Sequence, residues 1–276
     1  MLPHNLERLR AQHPAKNLSI NGQNWKIIDV GSGSLPLVML PGALGSADSF
    51  YKQILHFSRE GRVISANYPL SSDPSTLVDS FRQLLDQLHI DEIVLFGTSL
   101  GGYIAQRFYE KWPDMVRKLI IGNSFVDSSR LLSTEMFDPM LARNHSANEL
   151  LTLWRQRIEH NVAANGSSEL SDVTLDFLRT PANAEQLKAR LLTLAHSERV
   201  IGETAAKVAI IDCENDAIVD PETRQECRHC YPNARIYSLS EGGHYPYILN
   251  SAQFNDIITT EIADYWQQVA PATINR

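Results

Sequence analysis

Short apolar runs recur along the chain, and between them apolar residues fall at helical spacing. Leu37-Val-Met-Leu40, residues 62–66, Ile93-Val-Leu-Phe96, residues 116–121, residues 207–211 and residues 234–239 show little polar alternation. Runs of this kind read as strands, and those without alternation as strands buried on both faces of a parallel sheet. Residues 75–88, 101–112, 221–230 and 251–267 read as helices, with Tyr103, Ile104, Phe108 and Trp112 carrying the apolar stripe of the second. Pro74 and Ser75 open one helix and Pro113-Asp114 closes another. Strand-helix alternation implies right-handed crossovers and a parallel sheet covered by helices, an α/β fold.

Two regions break the rhythm. At the start, residues 1–14 suit a short polar helix, and residues 18–20 and 25–30 around Asn21-Gly22 read as an antiparallel hairpin. Between residues 127 and 200 no strand is convincing, and helices are predicted over 128–140, 147–161, 171–179 and 184–194. This is a helical insertion, which divides the chain into 1–126, 127–203 and 204–276. Met136, Phe137, Leu150, Leu153, Trp154, Leu175 and Phe177 are its expected core, where it meets the sheet. The turn Gly31-Ser-Gly33 has no helix directly after it, so it is not a phosphate loop.

The 276 residues, 43% hydrophobic, suffice for a full core. A formal net charge of −7 without clustered Lys and Arg excludes a nucleic-acid groove. The first residues lack a signal-peptide core, and no run reaches the ~18 apolar residues of a membrane span, so a cytoplasmic protein is expected. Three cysteines do not make a disulfide framework, and Cys227-Arg-His-Cys230, at the end of a late helix, reads as packing rather than as a zinc or redox site. No glycine-rich dinucleotide loop follows the first parallel strand, and neither metal nor cofactor is expected.

The candidate chemistry starts at Gly97-Thr-Ser99-Leu-Gly101, where a buried strand runs into a helix. This is the spacing of a nucleophile elbow, whose tight turn lifts the serine hydroxyl clear of the sheet. Serine needs a base, and the base needs a carboxylate to orient it. His244, in Glu241-Gly-Gly-His244 beyond the last strand, is the candidate base. Asp216 lies 28 positions before it, with room for one helix and one strand between them. Asp127 is the alternative acid, and Asp212 and Glu214 are close enough to compete. Leu100 supplies one oxyanion amide; the loop Pro41-Gly-Ala43-Leu-Gly-Ser46 places Ala43 as the second. The order serine, acid, histidine describes an acyl hydrolase acting on a small-molecule substrate. A dehalogenase would need a carboxylate in place of Ser99.

These residues resemble the α/β-hydrolase superfamily and, within it, the maspardin group. The narrower likeness rests on Phe96-Gly-Thr-Ser-Leu-Gly-Gly-Tyr-Ile-Ala-Gln-Arg-Phe108, Gly122-Asn-Ser-Phe-Val-Asp127, Tyr231-Pro-Asn-Ala-Arg235 and Gly242-Gly-His-Tyr-Pro-Tyr247. The resemblance implies an eight-stranded, mostly parallel sheet with a helical cap between strands six and seven, and Ser99 on the elbow. It also implies a rival function, a non-catalytic binding or adaptor protein with a protein partner, because that group lacks a histidine at the position of His244. This chain retains it. A second departure is Pro41-Gly42, where hydrolase oxyanion loops commonly read His-Gly.

Overall fold

The structure is a computed structural model and describes residues 1–202 and 207–269. After α1 (His4–Gln12), the strands β1 (Lys16–Ile20) and β2 (Gln23–Val30) form the expected hairpin. Its two-residue turn, Asn21-Gly22, has φ of 48° and 80°, the conformation that matches the twist of paired strands. The chain continues through β3 (Leu37–Leu40), α2 (Tyr51–Phe57), β4 (Val63–Asn67), α3 (Pro74–Gln87), β5 (Ile93–Thr98), α4 (Leu100–Lys111) and β6 (Val116–Gly122). Five helices follow: α5 (Ser129–Leu132), α6 (Pro139–Asn144), α7 (Ala147–Asn165), α8 (Glu169–Leu178) and α9 (Ala184–Ala195). β7 (Val208–Cys213), α10 (Pro221–Cys230), β8 (Arg235–Leu239), α11 (Pro246–Leu249) and α12 (Ser251–Val269) complete it.

One eight-stranded sheet has the order β1-β2-β4-β3-β5-β6-β7-β8, and only β2 runs antiparallel to its neighbours. Side-chain parity divides each buried strand between two helical layers. In β5, Leu95 joins Phe81, Ile104 and Phe108 on the α3, α4 and α10 side. Phe96 points the other way, its ring 5.5 Å from Phe50 and 5.4 Å from Phe254, among α1, α2, α11 and α12. The unalternating apolar runs follow from this arrangement, because neither face of the inner strands meets water.

Helices α5 to α9 form the cap between β6 and β7, and Leu150, Trp154, Phe177 and Leu187 make it continuous with the α3/α4 layer. The expected helix 128–140 is instead split into α5, a turn at Glu135–Phe137, and α6. Pro139 cannot sit inside a helix, and Asp138 caps the new one through the amide of Met140 at 2.8 Å. Met136 and Leu153 are exposed rather than core, each falling on the outer face of its turn. The expected boundary between 203 and 204 lies outside the described residues. Among the described residues no helix is long and apolar enough to cross a membrane.

A buried carboxylate ties the last helix to the sheet. Glu261 of α12 pairs with Lys118 of β6 and accepts hydrogen bonds from Arg235 (2.8 Å) and Tyr237 (2.5 Å) of β8. Burial pushes its carboxyl up, but the hydrogen bonds and charges of Lys118, Tyr237 and Arg235 outweigh that and hold it below the ordinary value. A carboxyl lowered on folding stabilises the protein above its unfolded value, and that contribution is lost as pH falls through the folded one. Glu261→Gln is therefore expected to cost about 3 kcal/mol in urea unfolding at neutral pH, because it strands the buried Lys118. The gap between variant and wild type should close between about pH 5 and about pH 3; a gap that does not change with pH would contradict this account.

Candidate active site

β5 ends at Thr98 and α4 begins at Leu100, so Ser99 alone makes the turn, with φ 52° and ψ −124°. A serine held at positive φ is strained and needs its surroundings to fix it. Its N–H donates to the Gly122 carbonyl at 3.0 Å, and its own carbonyl accepts from the Ser124 hydroxyl at 2.7 Å. The flanking glycines are required by contact. A β-carbon at Gly97 would lie 2.2 Å from the Gly101 oxygen, and one at Gly101 would lie 2.1 Å from the Leu40 oxygen. Leu100, as the first residue of α4, has an N–H with no carbonyl one turn back to accept it.

Asp216 sits in the loop after β7. Its Oδ1 accepts from the amides of Ile218 (2.8 Å) and Val219 (3.0 Å), and its Oδ2 from the Asn123 side-chain amide (2.7 Å). The same Oδ2 lies 2.9 Å from Nδ1 of His244, and both side chains are buried. Burial raises the carboxyl; the charge and hydrogen bond of His244, the Asn123 amide and the backbone donors reverse this and leave it below the ordinary value. An ionised carboxylate can only accept, so Nδ1 carries a proton, and the tautomer this selects in a neutral ring is the one with the lone pair on Nε2.

The glycines before His244 turn the loop back: Gly242 and Gly243 have φ of 129° and 54°. Asn215 accepts the Gly243 N–H at 2.8 Å, and Asn123 donates to the Gly243 carbonyl at 2.9 Å. His244, Ser99 and Ala43 line one pocket under the cap, with Phe137 and Trp154 opposite. Among the described residues no hydrogen bond joins Ser99 to His244; bonds of this kind often tighten only around a substrate. The free volume is about 30 Å³, enough to admit water.

The competing carboxylates are occupied elsewhere. Asp127 caps the turn at Ser129 (2.7 Å) and lies 3.7 Å from Arg199. Asp212 forms a forked pair with Arg228 at 2.8 and 3.0 Å, and Glu214 is exposed. Cys227 is buried and Cys230 half-buried, and burial pushes both thiols up, away from thiolate chemistry.

Two residues of the site escaped sequence reasoning. Asn123, the first residue past β6 and itself at φ 40°, anchors both Asp216 and the His244 loop. Its signal was its place at the carboxyl end of a parallel strand, where ligand-facing loops gather. Arg190 of α9 is fully buried against the loop after β3, and nothing in its helical context marks it.

Residues 37–257 match the family model described as "Alpha/beta hydrolase family". Human maspardin is 32% identical over 263 residues, covering 89% of this chain and 82% of its own. A Pseudomonas putida 2-hydroxy-6-oxononadienedioate/2-hydroxy-6-oxononatrienedioate hydrolase is 24% identical over 261 residues, 83% of this chain and 88% of its own. The fold is shared with a thermophilic esterase from Thermogutta terrifontis, with a TM-score of 0.76 at 18% identity over 91% of this chain and 98% of that one. Strand order, cap position and these likenesses agree: the chain belongs to the alpha/beta hydrolase family, and maspardin is among its relatives.

Proposed function

We propose that the protein is a serine hydrolase that cleaves small carboxylic esters through an acyl-enzyme. The observation that carries this reading is the buried His244–Asp216 contact at 2.9 Å, in the pocket onto which the Ser99 elbow opens. Ser99 Oγ attacks the substrate carbonyl while Nε2 of His244 takes its proton. Asp216 holds the ring and stabilises the imidazolium without accepting the proton itself. The amides of Ala43 and Leu100 receive the oxyanion. His244 then protonates the departing alkoxide, and a water activated by the same imidazole hydrolyses the acyl-serine.

Phe125, Leu131, Phe137, Trp154, Leu194 and Ile218 give the pocket apolar walls, which suits a hydrophobic acyl group. Thioesters, lactones, amides and carbon–carbon bonds next to a carbonyl are accessible to the same machinery. The free space is small, about 30 Å³, so an ester enters by movement of the cap above the pocket.

The maspardin relationship favours a second reading, a binding protein with a protein partner on the same scaffold. A fluorophosphonate reagent separates the two. Wild type is expected to label, and Ser99→Ala and His244→Ala to lose labelling. Ester turnover should fall by about 10⁴-fold or more in Ser99→Ala. Labelling that is absent in wild type, or unchanged in Ser99→Ala, would leave only the binding reading.

Asn123→Ala is expected to lower kcat about tenfold or more, the worth of one hydrogen bond to a charged group, with KM little changed. A fall in KM-linked binding alone, measured in the same steady-state assay, would show that Asn123 does not orient the Asp216–His244 pair.

A further inference from the structure

Arg190 is a buried cation in the wall between the cap and the loop after β3. It is 1% exposed, no carboxylate pairs with it among the described residues, and its Nε has no acceptor there. Burial brings the guanidinium down to about 10, which leaves it charged at neutral pH. An unpaired buried charge costs several kcal/mol. What it receives in return is one loop: Nη1 donates to the carbonyls of Gly42 (3.3 Å), Ala43 (2.9 Å) and Gly45, while Nη2 donates to the Asn67 side chain. Its plane lies over the rings of Tyr68 (5.4 Å) and Phe177 (5.8 Å). The Tyr68 hydroxyl takes the Pro41 carbonyl at 2.9 Å, so four carbonyls of this loop are drawn to donors outside it.

A peptide unit is planar and trans, so its C=O and N–H point in opposite directions. The carbonyl of Gly42 and the N–H of Ala43 belong to one such unit. Drawing that carbonyl toward Arg190 turns the N–H away from it. Gly42 lies against Ser99, since a β-carbon there would be 3.1 Å from Cβ and 3.7 Å from Oγ of Ser99, so the peptide that follows it is close to that hydroxyl.

We propose that Arg190 is a positioning residue for the oxyanion site: from α9 of the cap it holds the Gly42–Ala43 peptide with its N–H facing Ser99. It touches neither substrate nor nucleophile and acts through the backbone it clamps. The catalytic part of this inference rests on the serine-hydrolase reading above. The usual His-Gly of such loops is Pro41-Gly42 here; the Gly42 carbonyl also accepts the Gly45 N–H at 3.1 Å within the loop, and the clamp from the cap adds to that turn. Because α9 belongs to the cap, the seated cap adds its hold on this loop to the loop's own turn.

The test is Arg190→Met, with thermal unfolding to establish that the variant is folded. Selective ¹⁵N-alanine labelling reads the Ala43 amide directly, and steady-state ester hydrolysis reads its use. The expected result is a shifted or broadened Ala43 amide resonance and a kcat about 100-fold lower, the loss typical of one oxyanion donor, with KM within a few-fold. If Arg190→Met does not fold, Arg190→Lys gives the same two readings, since it keeps the charge but loses the fork that joins the loop carbonyls to Asn67. An unchanged Ala43 amide in a folded variant overturns the clamp, and a changed amide with unchanged kcat overturns its catalytic use. If wild type neither labels nor turns over, the hydrolase reading fails, and the Ala43 resonance still decides whether Arg190 sets that peptide.

Discussion

The site depends on a place where backbone meets backbone with no side chain between. Gly101 of α4 lies against the carbonyl of Leu40 at the end of β3, and Gly97 of β5 lies against the carbonyl of Gly101 itself. These approaches let a helix start one residue after a strand ends, and they force the residue between into positive φ. The strain on Ser99 is met by hydrogen bonds to β6 and from the loop after it, so the neighbouring strand takes part in holding the serine. Everything else the site needs is arranged around that fixed point.

The acid and the histidine illustrate how a buried carboxylate is kept charged. Asp216 has lost most of its water, and four donors replace it: two backbone amides, the Asn123 amide and the His244 ring. They come from three segments at the carboxyl end of the sheet, the carboxylate's own loop, the residue after β6 and the loop after β8, so forming the parallel strands in register completes the solvation of the carboxylate. Arg190 presents the opposite case. Its charge faces no carboxylate among the described residues; three backbone carbonyls of the loop beside the serine, the Asn67 side chain and two aromatic rings surround it. A guanidinium spent on backbone carbonyls is a costly way to shape a loop, which is why its location beside Ser99 carries information.

The parts of this arrangement that were legible from the letters are those that chemistry ties to a local pattern. The elbow was visible because Gly97, Ser99 and Gly101 must be spaced that way for the turn to exist. The strands were visible because burial on two faces removes polar alternation. His244 was visible because two glycines precede it after a late strand. The break at Pro139 is also in the letters, but apolar spacing continues through 128–140 and masks it. The exposure of Met136 and Leu153 was not legible, because which side of a short cap helix meets the sheet depends on how the helices lie together.

The order of amino acids alone determined the α/β architecture, the turn at Ser99 and the short set of carboxylates from which Asp216 had to be chosen. These follow from interactions within a few residues: side-chain alternation, turn sterics and capping. Tertiary structure decided which carboxylate meets His244, sent Asp127 and Asp212 to other partners, and brought Asn123 and Arg190 to the site. Arg190 reaches a loop 145 positions earlier in the chain. Contacts across such separations leave no periodicity in the sequence, because the two segments become neighbours only once the sheet has formed and the cap has folded down onto it.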